Sequence, residues 1–151
     1  IESFSIKHSI EIYKNKSIID IFAGSGLIGL EAISRGMSMS YFIESNNSVA
    51  KILEKNCKKI CKNQEYEIIL NKAITALEHI FNVKPSIIFI DPPYKKENIN
   101  LILIKIIERK IKINNTIIII ETGREEKVII PTELTVFKEK NYGKTKLLFI
   151  N

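Results

Sequence analysis

The chain predicts one α/β domain built on a doubly wound, mostly parallel seven-stranded sheet that ends in an antiparallel C-terminal hairpin. Three observations predict it. Short runs of Ile, Val and Phe alternate with segments of helical periodicity, the β-α-β-α order that makes neighbouring strands parallel and covers both sheet faces. A glycine-rich turn, Gly24-Ser25-Gly26-Leu27-Ile28-Gly29, stands where the first strand passes into the next helix. Two strand-like segments flank Asn141-Tyr142-Gly143 at the end of the chain.

Taken in order, residues 1–15 read as a helical lead-in and Ser17–Phe22 as a short buried strand. Leu27–Ser34 is a helix, with Leu27, Leu30 and Ile33 spaced for one face. Met39–Glu44 is the second strand. Asn46–Lys62 is an amphipathic helix with Val49, Ile52, Leu53 and Ile60 inward and its lysines outward. Tyr66–Leu70, Ile74–Phe81 and Ser86–Ile90 read as strand, helix and strand. Asn98–Ile113 is a helix with Leu101, Ile102, Ile106 and Ile113 inside. Thr116–Glu121, Leu134–Glu139 and Lys144–Ile150 supply the last three strands.

Composition bounds the rest. At 151 residues, 45% apolar and 26% charged, the chain has the make-up of one ordinary soluble domain. Isoleucine fills about a fifth of it, a bias expected of A/T-rich coding, so no single Ile run is special. No run reaches membrane-spanning length, and the start carries no signal-peptide pattern. Cys57 and Cys61 sit four apart on a helix, and His8 and His79 are far apart, so no metal set emerges. The net charge of +6 suggests an anionic partner.

Two motifs carry chemistry. Gly24, Gly26 and Gly29 have the G-x-G-x-x-G spacing: Gly24 permits a tight turn, Gly26 lets backbone approach a ligand, and Gly29 lets the helix pack closely. Glu44 follows about 20 residues later, at the end of the second strand, where an acid accepts hydrogen bonds from ribose hydroxyls. Asp20, just before Phe22-Ala23-Gly24, would repel a pyrophosphate and suits a sulfonium or ammonium group, which favours S-adenosylmethionine over a dinucleotide. The second motif is Asp91-Pro92-Pro93-Tyr94, after Ile87–Ile90. The prolines end the strand and stiffen the backbone, so a carboxylate, free carbonyls and a flat ring are offered together to a planar base with an exocyclic amine. Lys95 and Lys96 could hold phosphate beside it. Glu121 and Thr122 read as structural.

On Ile19–Gly36 and Ile88–Tyr94, with support from Ile118–Thr122 and Tyr142–Thr145, the chain resembles the class I S-adenosylmethionine-dependent methyltransferases that act on exocyclic amines. More narrowly it resembles the RsmD-type enzymes that methylate guanine N2 in 16S ribosomal RNA. The resemblance implies a Rossmann-like cytoplasmic monomer whose substrate is 16S rRNA or the assembled small subunit, without membrane or metal partners. It carries a catalytic set over to Asp91, Pro92, Pro93 and Tyr94, and a cofactor set over to Asp20, Phe22, Gly24, Ser25, Gly26, Glu44, Ala73 and Asp91. The chain departs from the family at Phe4-Ser5, where Phe-Asn is usual, and in lacking the N-terminal hairpin, which suggests a truncated start. Lys72-Ala73 stands where an Asp or Asn precedes Ala, leaving only the Ala73 N–H for an adenine ring. An adenine-N6 methyltransferase and a non-catalytic RNA-binding domain are the competing readings.

Overall fold

The computed structural model describes residues 13–62, 65–80, 82–93 and 97–151. Its strands are β1 (Ser17–Ile21), β2 (Met39–Glu44), β3 (Tyr66–Leu70), β4 (Ile87–Ile90), β5 (Ile117–Gly123), β6 (Val136–Tyr142) and β7 (Thr145–Ile150). The helices are α1 (Leu27–Ser34), α2 (Asn47–Ile60), α3 (Ala73–His79) and α4 (Ile99–Glu108). The predicted helical lead-in lies almost wholly outside the described residues, and positions 13–16 form a bend and a turn.

The seven strands form one sheet in the order β3-β2-β1-β4-β5-β7-β6. β1 to β5 pair parallel, and β7 pairs antiparallel with both β5 and β6. The chain winds from β1 outward to β3, then returns to place β4 on the other side of β1. That reversal opens a crevice outside the carboxyl ends of β1 and β4, the position where open α/β sheets bind ligands. The doubly wound, mostly parallel sheet with its closing hairpin is therefore the observed fold.

Side chains alternate across the sheet with period two. Ile19, Ile21, Ile88, Ile90, Ile118 and Ile120 are buried against α3 and α4, through Ala76, Leu77, Ile102 and Ile106. Ile18, Ile87, Phe89, Ile117 and Ile119 face the other way, with Ala32 of α1. Phe42 joins Leu30 and Leu53 in a third cluster between α1 and α2. Asp20 continues the Ile18 row, Glu44 the Phe42 row, Asp91 the Phe89 row and Glu121 the Ile119 row. Four carboxylates thus stand at or near the carboxyl ends of β1, β2, β4 and β5 on the α1/α2 face.

Several helix details depart from the periodicity. α2 buries Ala50, Leu53 and Cys57, while Ile52 and Ile60 are each 55% exposed. Ile52 sits one residue, or about 100°, off the buried line, and Ile60 ends the helix. Burial pushes the Cys57 thiol up to about 12. In α4 the same offset leaves Leu101 exposed and brings Leu103 in. α4 also stops at Glu108 instead of Ile113. The Lys110 and Ile111 amides donate back to the Ile107 and Ile106 carbonyls, with Lys110 at φ 52, so a left-handed residue closes the helix in a Schellman motif. Gly36, at φ 103, closes α1 the same way, with the Gly36 and Met37 amides donating to Ile33 and Ala32.

Candidate active site

The glycine turn is held from three sides. The Ala23 amide donates to the Ile43 carbonyl at 2.9 Å, and the Gly26 amide donates to the Ala23 carbonyl at 2.8 Å, closing a turn over Gly24 and Ser25. The Asn56 side chain of α2 donates to the Ser25 carbonyl at 2.9 Å. Phe22 leaves β1 at φ 67, a conformation a bulky residue adopts only where its surroundings enforce it. Its ring packs on the α3/α4 side, so its route to a ligand is through backbone.

The three glycines divide their tasks differently from the sequence expectation. A Cβ on Gly26 would stand 2.4 Å from Leu53 Cδ1, and one on Gly29 2.3 Å from Phe42 Cε1. Both are packing glycines, and Gly26 also sits at φ 88. A Cβ on Gly24 meets nothing within 4 Å. Gly24, not Gly26, is the position that fronts open space.

Glu44 is fixed over this turn. One carboxylate oxygen accepts from the Gly24 amide at 2.9 Å, the other from the Asn46 amide at 2.8 Å. The Asn71 amide donates to the Glu44 carbonyl at 3.1 Å, which ties the end of β3 to the same corner. Two residues on, Ala73 opens α3, where a first-turn amide has no partner within the helix. Glu44, Gly24 and Ala73 therefore share one rim, as a nucleoside-binding edge requires.

Asp20 is placed otherwise. It is 2% exposed, and its carboxylate accepts from the Gly29 amide at 3.0 Å, inside the first turn of α1. It therefore caps α1 from behind the glycine turn and acts on a ligand through its charge or through water. Burial raises its pKa from 3.8 to about 7. The Gly29 amide pulls the other way, and the Asp91 and Glu44 charges push it up further.

Asp91 lies across the crevice from Gly24. β1 and β4 are adjacent and in register, Ile21 opposite Ile90, and the Asp91 amide donates to the Ile21 carbonyl at 3.4 Å. Asp91 is exposed, yet partial burial still raises its pKa. Pro92 is partly buried and Pro93 exposed. Tyr94, Lys95 and Lys96 lie outside the described residues. The structure thus brings together Asp20, Gly24, Ser25, Glu44, Ala73 and Asp91 at one end of the sheet.

One residue at this edge, Glu121, reads as structural in the sequence and stands beside Asp91 in the fold, because Ile90 pairs with Ile120 on the next strand. Burial raises the Glu121 pKa, and the Asp91 charge adds to the shift. Only strand order reveals that neighbourhood, because the two acids are 30 residues apart in the chain.

No helix among the described residues is long and apolar enough to cross a membrane. The family model described as Conserved hypothetical protein 95 matches residues 3–151. Ribosomal RNA small subunit methyltransferase D of Buchnera aphidicola subsp. Acyrthosiphon pisum is 37% identical over 131 residues, 84% of this chain and 66% of that protein. The Haemophilus influenzae protein of the same name is 31% identical over 127 residues, 83% of this chain and 66% of that one. The chain thus spans slightly less than two thirds of the length of both relatives. Among solved structures, the yhhF protein of Escherichia coli superposes with a TM-score of 0.85 at 23% identity, covering 99% of this chain and 83% of that one. With a family model matched nearly end to end and the fold and crevice just described, the chain belongs to the Conserved hypothetical protein 95 family, the RsmD-type methyltransferases.

Proposed function

We propose that this protein transfers a methyl group from S-adenosylmethionine to the exocyclic N2 amine of a guanine in small-subunit ribosomal RNA. The observation that carries the reading is the shared crevice: Gly24 after β1 and Asp91 after β4 flank one switch point, joined by the Asp91 amide to Ile21 carbonyl bond. The names of the relatives support ribosomal RNA as the substrate class.

The residues present fit the cofactor. Gly24 leaves an open cradle at the turn. Each Glu44 oxygen keeps a second lone pair for a ribose hydroxyl beside its amide donor, and the Ala73 amide is free of a helical partner for a ring nitrogen. Asp20 adds negative charge, which suits the cationic donor. When bound, S-adenosylmethionine supplies an electrophilic methyl on a sulfonium.

The protein's own part is to hold and shape the amine. An amine on a purine is a weak nucleophile, because its lone pair is delocalised into the ring. The Asp91 carboxylate and the Pro92 carbonyl accept its N–H bonds and draw the nitrogen toward tetrahedral geometry. Tyr94 stacks on the base, a contact worth roughly 1–3 kcal/mol. Positioning supplies much of the rate. As the new N–C bond forms the nitrogen becomes acidic, and Asp91 takes the proton late or passes it to water. The base must leave its stack to reach the crevice, and Lys95 and Lys96 can hold the adjoining phosphate.

Labelled S-adenosylmethionine and unmodified small-subunit particles, or their RNA, test this directly. Nucleoside mass spectrometry after the reaction should yield N2-methylguanosine. N6-methyladenosine instead would favour the adenine reading, and cofactor binding without any transfer would favour a non-catalytic RNA-binding domain.

A further inference from the structure

We propose that Glu121 reads the target base: its carboxylate accepts the ring N1–H of guanine, while the two N2–H bonds go to the Asp91 carboxylate and the Pro92 carbonyl. The inference rests on the guanine-N2 reading and deepens it by naming what selects guanine.

The four carboxylates at this edge are not equivalent. Glu44 is bonded to the Gly24 and Asn46 amides, and Asp20 to the Gly29 amide. Both are committed to holding the glycine turn. The side chains of Asp91 and Glu121 have no hydrogen bond or ion pair among the described residues. Their neighbour Thr122, on the opposite face of β5, is bonded to Glu126. These two acids, without partners among the described residues, also stand side by side. β4 and β5 are parallel with Ile90 opposite Ile120, so Asp91 and Glu121 occupy the next register step, about 4.8 Å apart across the strands. Both continue rows that face α1 and α2, Phe89 in one case and Ile119 in the other. Glu121 is partly buried, with Asp91 close enough to contribute to its raised pKa.

A pair of adjacent acceptor groups matches the guanine edge. Guanine presents N1–H and both N2 hydrogens as donors, so an acceptor standing beside those that hold the amine can take the ring N1–H. Adenine presents a lone pair at N1, which a carboxylate repels. Asp91 alone recognises an amine, whereas Asp91 and Glu121 together recognise an amine beside a ring N–H.

The test uses 2-aminopurine, which keeps the exocyclic amine and has a lone pair at N1. Once the wild-type protein has marked its nucleotide, RNA is assembled from synthetic segments with guanine or 2-aminopurine at that position, and the two RNAs compete for methylation. The wild type should prefer guanine by about tenfold or more in kcat/KM. Glu121→Gln, whose amide can donate to a lone pair at N1, should reduce that ratio about tenfold or more while its cofactor Kd stays within about twofold. An unchanged ratio in a variant that still binds cofactor overturns the role of Glu121 alone. If Glu121→Gln fails to bind cofactor, the wild-type ratio decides, and equal use of the two bases overturns the proposal. A wild type that makes no N2-methylguanosine brings down the reading of the reaction, and this proposal with it.

Discussion

Replacing Asp20 with asparagine should make the protein more stable at neutral and alkaline pH and worse at holding its cofactor. Asp20 is 2% exposed and its pKa stands near 7, chiefly because burial disfavours the charge. An acid whose folded pKa lies above its unfolded value of 3.8 keeps a proton that the unfolded chain releases. Stability therefore falls as pH rises between those two values. From pH 5 to pH 8 this one group should remove about 3 kcal/mol of stability, at about 1.4 kcal/mol per pH step up to its folded pKa. The asparagine cannot ionise, and its carbonyl oxygen still accepts from the Gly29 amide that Asp20 bonds at 3.0 Å. Denaturant unfolding of wild type and Asp20→Asn at several pH values gives a difference in which the titrating groups not coupled to Asp20 cancel. That difference should grow by about 3 kcal/mol in favour of Asp20→Asn between pH 5 and pH 8. Parallel profiles would refute the reasoning. The same ionised carboxylate is what a sulfonium and ammonium would stabilise, so the more stable variant should bind S-adenosylmethionine less well, a stability–function trade at one residue.

Further predictions concern the cradle. Glu44→Ala should raise the cofactor Kd about tenfold to a hundredfold, for the loss of charge-assisted hydrogen bonds to ribose, as read by isothermal titration. An unchanged Kd would remove the ribose assignment. Gly29→Ala places a methyl 2.3 Å from the ring of Phe42, which is fully buried, so denaturation should show a loss of about 1–3 kcal/mol or more. Gly24→Ala meets open space and carries only the left-handed penalty of about 1–2 kcal/mol, yet it should weaken cofactor binding where Gly29→Ala acts on stability. Equal effects of the two substitutions on both readouts would contradict the division between cradle and packing glycines.

Much of this architecture is legible in the residues, for identifiable reasons. The strands are legible because a parallel sheet covered on both faces demands continuous apolar runs, and Ile87–Ile90 and Ile117–Ile120 supply them. α1 and β2 run between the expected residues because a glycine ends the helix and a polar stretch follows the strand. The end of α4 is illegible because its left-handed closing residue is a lysine, which gives no sign of a stop, whereas Gly36 does. The inward face of α4 is blurred by the isoleucine excess, and in α2 Ile52, next to the buried Leu53, draws the apolar pattern away from Cys57. In the site, Glu44, Gly24 and Asp91 could be read from spacing and motif. Asp20 could be read as an acid near the ligand but not as the cap of α1, because its bond to Gly29 depends on how the helix packs over β1. Glu121 reads as structural from its own segment, because only strand order places it one strand away from Asp91.

Methyl transfer as proposed requires that the crevice at Gly24 and the proline-stiffened corner at Asp91 open onto each other, one holding the donor and the other presenting the amine. Single-turnover methyl transfer and cofactor Kd, measured together in Asp91→Ala, test this most directly. Transfer should fall by about a hundredfold or more, the scale of losing a positioned proton acceptor, with Kd within about twofold of wild type. Transfer and cofactor affinity falling together, or neither changing, would contradict it.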